Sequence, residues 1–240
     1  MTQVARALGL QRKFIEAHEA LDALPPVSEP PRTRWEAYAL LERGRVLNSS
    51  GKREEARQLF DRASESPHDD LRIDALHMVA IVSDPEEALK FNEQAIAEAN
   101  ASSNPNARRW LGSLLNNTAW SYHDLGRPQR ALELFVEALQ YRQVQGDPEP
   151  IRIAKWCIAR CLRTLGRTEE ALAGQLDLAA DSDDGFVQEE LGECLLALGR
   201  ASESRAHFAR AHEKLKQDSW LTANEPERIS RLLVLSLENP

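Results

Sequence analysis

The sequence predicts an all-α protein, a solenoid of antiparallel helix pairs, and three observations carry that prediction. Residues 108–139, RRWLGSLLNNTAWSYHDLGRPQRALELFVEAL, read as two amphipathic helices meeting at the turn Asp124-Leu-Gly126-Arg-Pro128. The spacing of small and large residues around that turn recurs along the chain. No segment alternates apolar and polar residues in the manner of a half-buried strand.

Counting from Gly126, Ala119 lies seven residues before the turn glycine and Tyr122 four before it, while Ala131, Phe135 and Ala138 follow at five, nine and twelve. Small residues there let two antiparallel helices cross closely, and large ones fill the space beside them. Around Gly51 the same places hold Gly44, Leu47, Ala56, Phe60 and Ala63, a full match. Around Gly199 they hold Gly192, Leu195, Ser204, Phe208 and Ala211. Around Gly166, Ala159, Leu162 and Ala171 fit but Gln175 and Leu178 depart. Around Ser83 the set is Leu76, Val79, Ala88, Asn92 and Ala95, and around Arg12 it is Ala5, Leu8, Ala17, Leu21 and Leu24.

These residues resemble the tetratricopeptide (TPR) repeat, whose mark is small and large residues at such places around a tight helix–turn–helix. The resemblance implies a right-handed superhelical α–α solenoid. Six units are expected, at about 1–24, 33–66, 69–100, 107–145, 150–180 and 185–217, with a capping helix over 225–237 and one solenoid spanning 1–240. Successive turns stand 32 to 43 residues apart, against a usual period of about 34. Loops at 25–31 and 146–150 supply part of the extra length, and longer helices, as in kinesin light chain, the rest.

In chain order, Met1 to Leu10 and Lys13 to Leu24 form an incomplete first hairpin. The segment Pro25-Pro-Val-Ser-Glu-Pro-Pro31 is extended, because proline lacks an amide donor and restricts the residue before it. Arg34–Asn48 and Arg53–Ser64 make the second pair, and Asp69–Val82 opens the third. Asp84-Pro-Glu-Glu87 reads as a helix start: Asp84 caps, Pro85 suits the first helical position and Glu87 sits three after the cap. The loop 101–106 leads into the central pair. Ile151–Leu165 and Thr168–Ala180 follow, then the turn 181–185, then Phe186–Leu198 and Ser202–Gln217. In Glu225–Leu237, Ile229, Leu232, Leu233 and Leu237 share one face; that helix either caps the last repeat or contacts a second copy.

A net charge of −8 and a pI near 5.4 leave no broad basic surface, so nucleic acid is not an expected partner. No run is long enough to cross a membrane, the start lacks the apolar core of a signal peptide, and three cysteines give no disulfide framework. A cytoplasmic location is expected. Cys157 and Cys161 stand four apart on one helix without a second ligand pair nearby, and His207 and His212 diverge around theirs, so no metal is expected. There is no phosphate-binding glycine loop, nucleophile elbow or His-Glu-x-x-His, hence no cofactor and no enzyme.

The TPR resemblance places ligands along the first helices of successive repeats, on residues ten, nine, six and three before each turn. It marks Arg45, His77, Asn116, Asn117, Trp120, His123, Trp156, Arg160 and Arg163 as candidate peptide-binding residues. Asparagine amides both donate to and accept from a peptide bond, and Trp and Arg are enriched at binding hot spots. The competing reading packs Trp120 and Trp156 between repeats and pairs Arg160 with Glu193. The lysine–asparagine–arginine clamp for chaperone tails is absent, since Ile73, His77, Ile153 and Cys157 stand where it needs other residues around Asn117. The expected function is a protein-interaction adaptor holding an extended or helical peptide segment of a partner. A scaffold self-associating as a homodimer through its terminal helices, and a peptide-sensing regulatory module, are the alternatives.

Overall fold

In a computed structural model, described for residues 1–237, every repeat begins and ends around its turn in the same way. The chain divides into two compact units, Met1–Leu125 and Gly126–Pro240. The division falls inside the fourth expected repeat, at its turn glycine.

The first unit holds α1 (Thr2–Leu10), α2 (Phe14–Asp22), α3 (Arg34–Ser49), α4 (Arg53–Ser64), α5 (Asp69–Ile81), α6 (Pro85–Ala101), α7 (Pro105–Arg108) and α8 (Leu111–Asp124). The second holds α9 (Pro128–Gln145), α10 (Pro148–Thr164), α11 (Thr168–Ala180), α12 (Gly185–Ala197), α13 (Ala201–Leu215), α14 (Ser219–Asn224) and α15 (Pro226–Leu237). Within each unit the helices pack sequentially, and no strand occurs among the described residues.

At all six turn positions the first helix stops two residues before and the second starts two after. Gly51, Gly126, Gly166 and Gly199 adopt left-handed φ of 86°, 72°, 75° and 73°, as does Arg12 at 58°. Glycine takes that conformation without the Cβ clash that L side chains suffer. Ser83 is the exception. Its turn is fixed from outside: the Ser83 hydroxyl donates to Val79 O (2.8 Å), and Arg53 and Arg57 of α4 donate to its carbonyl (2.6 Å) and hydroxyl (2.8 Å).

The small residue seven before the turn makes room for the aromatic nine after it. A Cβ on Gly44 would lie 2.3 Å from the Phe60 ring, and one on Gly192 would lie 2.7 Å from Phe208. Both rings are fully buried.

Four features depart from the sequence reading. Pro105–Arg108 forms a separate turn of helix, so the central first helix starts at Leu111 rather than Arg108. Asp84 stands at the N-cap of α6, but its side chain makes no capping bond, and Glu87 instead receives two hydrogen bonds from Arg57 at 3.0 Å. Asp218 caps the unanticipated α14 through the Trp220 and Leu221 amides, at 2.8 and 3.1 Å. On α15 the buried stripe is Leu232 with half-buried Ile229 and Leu235, packed on Phe208, Ala211, Leu215 and Leu221. Leu233 and Leu237, expected on that same face, are exposed together with Val234.

The proline-rich segment before α3 is held by one carboxylate. Glu36, buried against it, accepts hydrogen bonds from the amides of Ser28 (3.0 Å), Arg32 (2.9 Å) and Thr33 (2.8 Å) and from the hydroxyls of Ser28 and Thr33 (2.7 Å each). With Thr33 as N-cap this is a capping box.

Candidate peptide-binding faces on the first helices

Polar residues on the first helices are joined rung to rung: the side chain six before one turn reaches the side chain nine before the next. In the first unit Arg6 donates to Glu42 (3.0 Å), and Arg45 donates to Asp74 (2.5 Å) as well as to Glu42 of its own helix (2.6 Å). His77 bonds Asn92 through Nδ1 (3.0 Å) and meets the Asn117 amide at Nε2 (3.4 Å). This pair of partners suits the tautomer with its proton on Nδ1, donating to Asn92 Oδ1 and accepting from Asn117 Nδ2. In the second unit Arg160 donates to Glu190 (3.3 Å), which Arg163 also grips at 2.8 and 2.9 Å.

Glu193 is therefore not the partner of Arg160. Successive first helices are offset by about one turn, so the six-before residue meets the nine-before residue of its neighbour, and Glu193 is taken by Arg231 of α15. Arg228 of the same helix clasps Glu189 at 2.6 to 3.2 Å and lies over the Phe186 ring at 5.3 Å.

Burial makes these rungs structural. Glu42, Asp74, Glu189 and Glu190 are each at most 6% exposed. Hydrogen bonding to Glu189 leads the upward shift of the Arg228 guanidinium, and such fully hydrogen-bonded buried pairs cost dearly when one partner is lost. Arg45, Arg160 and Arg163 thus spend their charge on neighbouring helices. Glu42 Oε2 is buried with no hydrogen-bond partner.

The remaining candidates are more open. Asn117 is exposed and its amide touches neighbours only at long range, Asn116 Nδ2 to Asn117 Oδ1 at 3.5 Å and His77 at 3.4 Å. Trp120 packs edge-on to His123 with centroids 5.2 Å apart, both half-buried. Trp156 donates its indole N–H to Phe186 O (3.3 Å), meets the Phe186 ring edge-on at 6.3 Å and lies under the Arg160 guanidinium at 5.4 Å.

Sequence reasoning missed one stretch of this face. Thirteen before their turns, Ile153 and Phe186 occupy equivalent places on α10 and α12 and line a cleft of about 350 Å³ with Trp156 and Val187. The signal lay in the stripe itself: Ile153, Trp156, Arg160 and Arg163 follow one another at helical spacing, one turn further back than the four positions considered.

The three cysteines are buried, and desolvation pushes the thiols of Cys161 and Cys194 up to about 11 and about 12. Thiols held in that state are poor nucleophiles. No cluster of three or more His, Cys, Asp or Glu suited to a metal ion occurs among the described residues, and no helix there is long and apolar enough to cross a membrane.

Two stretches of the sequence match tetratricopeptide-repeat family models, residues 37–62 and 116–185. No curated protein matches the sequence. Among solved structures, BtubC (BKLC) from P. vanneervenii is similar over 100% of this chain and 93% of its own, with a TM-score of 0.63 and 15% identity. The nearly identical TPR-like repeats of a candidate kinesin light chain from Podosopora anserina match 75% of this chain and 96% of theirs, at TM-score 0.61 and 18% identity. A thermophilic TPR protein of Thermus thermophilus matches 82% of this chain and 99% of its own, at TM-score 0.53 and 21% identity. Folds of this kind are generally protein–protein interaction modules. Family-model matches and helix-by-helix architecture agree: the chain carries tetratricopeptide repeats on a TPR-like solenoid fold.

Proposed function

We propose that this protein is a non-enzymatic adaptor that holds a peptide segment of a protein partner against the exposed parts of its first helices. The observation that carries the reading is Asn117. Most neighbouring rungs are closed by short, charged hydrogen bonds, whereas this exposed amide is bonded only at 3.4 and 3.5 Å. Bonds that long are weak, so the group keeps donor and acceptor capacity for a peptide backbone, with the Trp120 ring one turn away. The acidic balance of the chain favours a protein over a nucleic acid as that partner.

Capture of partners from native lysate tests this, using wild type beside Asn117→Ala/Trp120→Ala after matching their helicity by circular dichroism. A partner held by the wild type and lost by the double variant supports the reading, and a partner held equally by both overturns it.

A self-associating scaffold is the second reading, favoured by Leu233, Val234 and Leu237, which lie 42%, 51% and 71% exposed on α15. Sedimentation of wild type against Leu233→Asp separates the two: a dimer abolished by the substitution would favour assembly, and a monomer in both would remove it.

A further inference from the structure

We infer that the cleft between α10 and α12 receives one large apolar side chain from the partner segment, and that basic residues flank that side chain. The inference rests on the peptide-binding reading and names the chemistry of the segment.

The cleft can recognise carbon and little else. Its walls are Ile153, Trp156, Phe186 and Val187, and its volume of about 350 Å³ falls at the small end of the range of ligand pockets. Trp156 has turned its one polar atom inward, to the carbonyl of Phe186, so the indole offers only its hydrocarbon surface. Arg152, at the rim, is bonded to Glu149 (3.0 and 3.1 Å), Ser182 (2.8 Å) and Asp184 (3.4 Å). A polar ligand group entering here would leave water without gaining an equivalent partner, which is unfavourable. A Leu, Ile, Met, Phe or Trp side chain would instead bury apolar surface on both sides. The opening is real: Ile153 is 43% exposed, a large β-branched side chain at the mouth of a cleft on the same stripe as Arg160 and Arg163.

Charge selects the flanks. The rim carries two acids, Glu149 and Asp184, for one base, Arg152. Asp181, exposed, lies in the turn whose Ser182 bonds Arg152. Along the stripe Arg160 and Arg163 share the one carboxylate of Glu190, which offsets part of their charge and leaves the acids concentrated at the cleft's own rim. A segment with Lys or Arg beside its apolar anchor meets a complementary surface, and an acidic segment meets repulsion.

The test is a phage-displayed library of random peptides panned on the full chain, with selected peptides then titrated by fluorescence anisotropy against wild type, Ile153→Asp and Val144→Asp. Val144 is 84% exposed on the second helix α9 and serves as a control. Enriched peptides should share one large apolar position with Lys or Arg within three residues. Their binding should weaken at least about tenfold in Ile153→Asp, as expected when a charge meets a buried anchor, and stay unchanged in Val144→Asp. Ile153→Ala, which widens the mouth, should shift the enriched anchor toward Trp and Phe. Peptides that lack an apolar anchor, carry acidic flanks, or bind Ile153→Asp as well as wild type overturn the inference. Peptides lost on Asn117→Ala but not on Ile153→Asp leave the peptide-binding reading standing and refute the cleft alone. No enriched peptide at all overturns both.

Discussion

Gln175 stands nine residues after its turn, where Phe60, Phe135 and Phe208 stand in other repeats. It is fully buried, and neither its amide oxygen nor its nitrogen has a hydrogen-bond partner. A buried polar group left unpaired costs about 1–3 kcal/mol, whereas an apolar group of similar volume costs nothing of the kind. Gln175→Leu should therefore raise the free energy of unfolding by about 1–2 kcal/mol in urea titrations; a loss of stability would show that the amide is satisfied. Arg45 presents the opposite case. It is the base shared by Glu42 and Asp74, both nearly inaccessible, so Arg45→Met leaves two buried carboxylates with one fewer partner. The expected cost is about 3–5 kcal/mol, read as a lowered denaturation midpoint. A neutral result would return Arg45 to the set of groove residues free to contact a ligand. Arg45 belongs to that set in the sequence expectation, and its pairing was not legible there because register between neighbouring first helices is a tertiary property: the sequence shows which face a residue shares, not the one-turn offset that brings it beside an acid of the next repeat.

Among the elements, the proline-rich segment before α3 depends on a single charge. Ser28, through its hydroxyl and then its amide, followed by Thr33, holds the Glu36 carboxyl far below the usual carboxylate range. The folded state thus favours the ionised form more than the unfolded chain does. Its contribution is complete above the ordinary glutamate value of 4.5 and is lost progressively as pH falls below it. Hydrogen exchange at the Ser28, Arg32 and Thr33 amides, corrected for intrinsic rates, should accelerate at acid pH, and Glu36→Gln should bring the same acceleration at neutral pH. Unchanged protection in the variant would show that the prolines alone fix the loop. The last helix gives a second contrast. Leu232 is fully buried while Leu233 is 42% exposed. Leu232→Ala should then cost about 2–5 kcal/mol and Leu233→Ala no more than about 0.5 kcal/mol; equal effects would mean that α15 sits rotated from its described face. The sequence offered four leucine and isoleucine positions as one stripe because a helical wheel cannot say which side of a broad apolar arc a neighbour covers.

At the scale of the molecule, the turns were the most legible feature. Gly51, Gly126, Gly166 and Gly199 announced themselves because a left-handed residue between two helices is a local steric demand. Arg12 and Ser83 were placed by periodicity alone, one taking the left-handed conformation and the other held by arginines of α4 in the preceding repeat. The candidate site was legible in its helix face and in Asn117 and Trp156, but not in Ile153 and Phe186, which matter through a cleft that only packing creates. The outcome is a repeat fold whose first-helix faces are mostly self-satisfied, leaving an exposed asparagine in one unit and an apolar cleft in the other. Specific recognition by few open positions on a closed framework is the physical content of the adaptor reading.

That reading is tested most directly by photo-crosslinking. A photoreactive phenylalanine analogue is placed at Ile153 on a first helix and, separately, at Val144 on a second helix, and each protein is irradiated in native lysate. The account predicts a discrete adduct from position 153 and none from position 144. Adducts from Val144 with none from Ile153 would contradict it, and would move the binding surface off the first helices.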